Sequence, residues 1–92
     1  MTTPITERQA TIVNPLGLHA RPAAQLVRLA STFDADILIC KDGLEVNAKS
    51  IMGVMMLAAE CGSAIVIRAN GPDADRAVQA LAELVAAGFG EM

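Results

Sequence analysis

Ile37-Leu38-Ile39-Cys40-Lys41-Asp42-Gly43-Leu44-Glu45-Val46-Asn47-Ala48 sets a β-branched apolar run, an Asp-Gly pair and a second short run in direct succession. The first run reads as a strand over 37–40. Asp-Gly tolerates the positive φ values that a two-residue hairpin turn requires, so 44–48 is the expected return strand. Upstream, Arg8, Ala10 and Ile12 alternate with Gln9, Thr11 and Val13, the period of a strand over 7–13. Asn14-Pro15-Leu16-Gly17 is turn chemistry, and Ala23, Leu26, Val27, Ala30 and Phe33 recur at helical spacing, which predicts a helix over 20–32. Downstream, Ser50 is a favoured N-cap for a short helix over 51–59, and Cys61-Gly62 ends it. A fourth strand over 63–69 then leads through Asn70-Gly71-Pro72-Asp73 into a last helix. That helix carries an apolar stripe of Ala74, Ala77, Val78, Leu81, Ala82 and Val85, and Gly88 terminates it. The order β-α-β-β-α-β-α predicts an α+β layer fold: a mostly antiparallel sheet with three helices on one face.

The composition narrows the function classes. Ninety-two residues make a single domain over 1–92, with 1–6 expected as a frayed polar tail. With no Trp or Tyr and two Phe, the core has to be aliphatic. A net charge of −3, a pI near 4.9 and no run of Lys or Arg argue against a nucleic-acid surface. No apolar segment reaches the length needed to span a bilayer, and the first residues lack a signal peptide's basic and apolar regions, so a cytoplasmic location is expected. Cys40 and Cys61 form no CxxC pair, and one His cannot complete a zinc site with them. Both read as reduced core thiols, with no metal and no cofactor expected.

The chemistry concentrates in Gly17-Leu18-His19-Ala20-Arg21-Pro22-Ala23-Ala24-Gln25. His19, the only histidine, stands where the first helix begins, and Pro22 fits that helix's first turn. The imidazole therefore lies beside the unpaired backbone N–H groups of a helix N-terminus, with the Arg21 guanidinium two residues on. Such a place receives anions. A nucleophilic nitrogen next to an anion cradle points to a histidine that carries a phosphoryl group.

These residues resemble the active-site signature of HPr, the histidine-containing phosphocarrier of the phosphoenolpyruvate-dependent phosphotransferase system. Lys49-Ser50-Ile51-Met52-Gly53-Val54-Met55 resembles that family's second signature, and the likeness extends over about 7–90. It implies an open-faced β-sandwich of four antiparallel strands with three helices on one side. It implies that His19 accepts a phosphoryl group on Nδ1 from Enzyme I and passes it to IIA proteins or domains, with Arg21 stabilising the phosphoryl oxygens. The chain is then a relay and not an independent catalyst. Ser50 becomes a regulatory phosphorylation site for an HPr kinase/phosphorylase as well as a helix cap.

The resemblance also implies an exposed apolar patch of Ile51, Met52 and Met55 beside His19. Met52, Met55 and Met56 cannot all face inward on so short a helix, and Met suits a surface that accepts several partners. Ala20, Lys49 and Arg28 complete the expected partner surface, Arg28 lying two turns from Arg21 on the same helix face. A monomer is expected. His19 separates the chain from the catabolite-regulator paralogue, in which that histidine is replaced. Two alternatives stay open: a carrier of the nitrogen-related regulatory branch, and a binding module acting through phosphorylated Ser50.

Overall fold

The computed structural model describes residues 5–91. Seven main elements follow one another: β1 (Ile5–Thr11), α1 (Ala20–Ala30), β2 (Asp36–Lys41), β3 (Leu44–Asn47), α2 (Ile51–Met56), β4 (Ala64–Asn70) and α3 (Ala74–Ala86). A short 3-10 turn over Gly88–Gly90 follows α3. The four strands form one sheet in the order β1-β4-β2-β3, every pair antiparallel. This is the α+β open-faced sandwich expected. No helix among the described residues is long and apolar enough to cross a membrane.

The hairpin forms as its sequence requires. Lys41 pairs with Leu44, and the two residues between them, Asp42 and Gly43, both have positive φ. That is the conformation of a two-residue turn whose twist matches the strands it joins. Alternation then decides which side each strand buries. Ile37 and Ile39 of β2, and Ile65, Ile67 and Ala69 of β4, point into the core. They meet Leu26 and Val27 of α1 and Val78, Leu81 and Val85 of α3 in one aliphatic cluster. The buried set of α3 is the six-residue stripe read from the sequence. Burying one such Ile, Leu or Val stabilises the fold by roughly 1.5–3 kcal/mol.

Among the described residues, no helix covers the opposite side of the sheet. Arg68 on β4 lies there between two carboxylates, with Nε 2.7 Å from Glu7 on β1 and Nη1 2.6 Å from Glu45 on β3. At the far end of the molecule, the Asp73 carboxylate accepts the backbone N–H groups of Asp34 and Ala35. Those bonds, the Asp34 one first, hold its pKa below the usual carboxylate range.

Three expectations need correction. β1 begins at Ile5, so Ile5 and Thr6 belong to the sheet and not to a frayed tail; residues 1–4 lie outside the described part. α2 stops at Met56, because Leu57 and Ala58 close it with tight turns and Ala58 has a positive φ. Cys61 is exposed in the turn before β4, and Cys40 is half-buried on the open side of the sheet, so neither is a core thiol. An apolar neighbourhood in sequence does not say which face of the sheet a residue occupies.

Candidate functional site

His19 sits at the N-cap of α1 with an extended backbone, and its side chain makes no capping hydrogen bond. The first helical return bond runs from Ala23 N–H to the His19 carbonyl. Ahead of it, the N–H groups of Ala20 and Arg21 have no backbone acceptor, and Pro22 has no N–H to place. Two unpaired amide donors and the positive end of the helix dipole therefore adjoin the ring. Arg21 is exposed, and no carboxylate among the described residues forms an ion pair with it.

The loop that delivers His19 is pinned from one side. Leu18 is buried and its N–H donates to the Ala59 carbonyl at 2.9 Å. Gly17 has φ +67°, and a Cβ there would stand 2.4 Å from the Ala59 carbonyl oxygen. Only glycine lets the two backbones come this close. Because residues 57–60 follow α2 directly, this contact also fixes α2 relative to the His19 loop.

Two residues that the sequence reading missed complete the site. Glu91 places both carboxylate oxygens on His19 Nε2, at 3.0 and 2.9 Å. The fully buried Asn14 donates through Nδ2 to the Gly17 carbonyl at 2.8 Å and to Glu91 Oε1 at 2.9 Å. The hydrogen bond from His19, aided by Asn14 and by the nearby charge of Arg21, holds the Glu91 carboxyl below its ordinary pKa against an opposing desolvation. A cleft of about 600 Å3 opens beside this group, walled by Arg21 and Gln25 of α1, by Pro15 and Leu16, and by the segment around Phe89 and Glu91.

Ser50 is the N-cap of α2, and its Oγ accepts the Gly53 N–H at 3.1 Å. Ile51, Met52 and Met55 are all exposed, Met52 most of all at 78%. Met56 and Leu16 extend the same kind of surface, at 67% and 76% exposure. Leu16 belongs to the His19 loop, and Met56 ends α2 just ahead of the residues 57–60 that the loop touches. Ala20 and Arg28 are exposed, and Arg28 lies on the last turn of α1 beside a shallow groove with Leu29 and Leu84. Lys49 is half-buried: its ammonium donates to the Phe33 carbonyl at 2.8 Å, tying the start of α2 to the end of α1.

Comparison with known proteins shows the family. The family model described as the PTS HPr component phosphorylation site matches residues 6–87. The chain belongs to the HPr phosphocarrier family. It is 49% identical over 85 residues to the phosphocarrier protein HPr of Cupriavidus necator, covering 92% of this chain and 96% of that protein. It is 47% identical to the phosphocarrier protein NPr of Shewanella violacea, over 92% of this chain and 93% of the other. The crystal structure of HPr from Thermoanaerobacter tengcongensis superposes with a TM-score of 0.91 at 45% identity, covering 95% of this chain and 98% of that one. A phosphocarrier of the phosphotransferase system is therefore the general role of this fold and sequence.

Proposed function

We propose that His19 takes a phosphoryl group from phospho-Enzyme I and yields it to a IIA protein or domain in sugar uptake. The observation that carries this reading is the unspent donor capacity around the ring. The Ala20 and Arg21 amides and the Arg21 guanidinium have no acceptor among the described residues, and a phosphoryl group brings three oxygens. Phosphoryl transfer needs positioning and charge stabilisation more than covalent assistance, and this arrangement supplies both. Moderate stabilisation suits a carrier, since a phosphoryl group bound too well is not passed on.

Ser50 serves as a regulatory site for an HPr kinase/phosphorylase. A phosphate at the start of α2 adds negative charge beside Ile51, Met52 and Met55 and opposes docking there. The cytoplasmic chain acts as a monomer, a reading supported by β1 being paired with its own β4 from Ile5 to Thr11. A role in the nitrogen-related branch is the second reading, favoured by the similarity to the Shewanella violacea NPr.

Incubation with Enzyme I and labelled phosphoenolpyruvate should give acid-labile label on the wild type and none on His19→Ala. Label persisting in that variant would refute the assignment.

A further inference from the structure

Glu91 is separated from His19 by seventy-two residues of sequence, yet its carboxylate faces one ring nitrogen with both oxygens. Getting it there takes an unusual backbone. Gly88, Phe89 and Gly90 follow α3 with φ of 64°, 55° and 74°, three successive left-handed residues. For glycine this conformation carries no steric penalty, but for Phe89 it is strained. Phe89 is nonetheless 3% exposed, its ring anchored in the core, so the turn folds back and delivers the next carboxylate to His19. Asn14 adds a second sign of purpose. It is fully buried, spends its amide hydrogens on Gly17 and Glu91, and leaves Oδ1 without a partner. An orphaned buried acceptor weakens a fold, so stability alone does not account for this residue.

An ionised carboxylate only accepts hydrogen bonds, so the nitrogen facing it carries the hydrogen. With Nε2–H donated to Glu91, the neutral ring keeps its lone pair on Nδ1, which no protein group among the described residues engages. We propose that Glu91, held by Asn14, is the positioning residue that fixes the His19 tautomer and reserves Nδ1 for the phosphoryl group. The proposal rests on the carrier reading for its consequence, although the ring geometry stands without it.

In the step itself, the Nδ1 lone pair forms the N–P bond while the bond from phosphorus to the donor atom breaks and its electron pair leaves with the donor. Nε2 keeps its hydrogen throughout. The phosphorylated ring therefore becomes cationic, and the Glu91 carboxylate sits against that charge. Onward transfer reverses these changes. Among the described residues, the charged or titratable groups facing Glu91 are His19 and Arg21. Arg21 forms no ion pair with it and stays available to the phosphoryl oxygens.

The test compares wild type, Glu91→Gln and Glu91→Ala. Proton NMR should show an exchange-protected Nε2–H signal in wild type and in Glu91→Gln, whose amide oxygen still accepts, and none in Glu91→Ala. Phosphoramidate, which phosphorylates histidine without any enzyme, should modify Nδ1 in wild type and give a mixture of Nδ1 and Nε2 products in Glu91→Ala. Transfer from Enzyme I should fall about tenfold in Glu91→Ala, the loss of one charge-assisted hydrogen bond, and by less in Glu91→Gln. A thermal melt separates these effects from unfolding, and the Nε2–H signal of wild type decides the proposal even should the Ala variant be unstable.

The proposal is overturned if wild type lacks the protected signal, or if Glu91→Ala matches wild type in regiochemistry. Failure of Enzyme I to label the wild type would instead remove the carrier reading, with the NMR and phosphoramidate results still deciding the role of Glu91.

Discussion

The starts of α1 and α2 have the same backbone plan and opposite chemistry. Both N-cap residues, His19 and Ser50, are extended, and both are followed by a helix with no acidic residue in its first turn. Ser50 closes its helix, its Oγ taking the Gly53 N–H. His19 does not close its helix. Its ring turns to Glu91 and leaves the amides of Ala20 and Arg21 unpaired. A cap that satisfies its helix is stabilising and chemically quiet, whereas an uncapped start forgoes stability and keeps donors available for an incoming anion. On the proposed reading, the difference separates a helix start left open for a phosphoryl group from one closed by its own cap.

The largest effect on this contrast should come from Gly17→Ala. The new methyl would meet the Ala59 carbonyl at 2.4 Å in a backbone conformation that alanine adopts with strain. We expect a loss of about 3 kcal/mol in a denaturant melt, together with impaired transfer, because the loop must leave its contact with residues 57–60. An unchanged melt would mean that the loop is not pinned there.

Arg21→Ala should come next and should separate the two helix starts cleanly. Transfer from Enzyme I should slow by about tenfold to a hundredfold, equivalent to about 1.4–2.7 kcal/mol in the transition state. Stability should stay within about 0.5 kcal/mol of wild type, as for an exposed residue without an ion pair. A wild-type transfer rate would remove Arg21 from the mechanism.

Met52→Glu probes the apolar surface that borders the α2 start. Met52 is 78% exposed and contributes little to the core. A carboxylate in a small apolar interface must be desolvated on docking, so the Enzyme I concentration needed for half-maximal transfer should rise about fivefold, near 1 kcal/mol. The melting temperature should barely move. Unfolding of the variant, or an unaltered concentration dependence, would take Met52 off the docking surface.

How far the sequence foretold this molecule depends on the range of the interaction involved. Asp42-Gly43 and the α3 stripe were legible because turn chemistry and helical periodicity act over a few residues. His19 was legible because Pro22 and the apolar spacing after it mark a helix start. Glu91 was not: its partner is seventy-two positions away, and the left-handed path through Phe89 contradicts that residue's own preference. The one local hint was an acidic residue after Gly-Phe-Gly, where an apolar anchor between two glycines can fold the chain back. Asn14 was hidden differently, since Asn before Pro already had a sufficient reading as a turn. Cys61 was misplaced because sequence gives composition and spacing but not which way a loop residue turns.

Ser50→Ala should have the smallest effect, and it tests whether the two helix starts are independent. Loss of the Oγ bond to Gly53 should cost about 0.5–1 kcal/mol, the low end for an N-cap because α2 is only one and a half turns long. Transfer to His19 should be unaffected, since the α1 amides and Arg21 owe nothing to that bond. Ser50→Asp keeps an acceptor at the cap and adds a charge that the α2 dipole favours, so it should recover most of the stability while weakening Enzyme I docking. If Ser50→Ala instead slowed transfer as much as Arg21→Ala, the order of α2 would be reaching His19 through residues 57–60. The quiet cap would then be part of the reactive site.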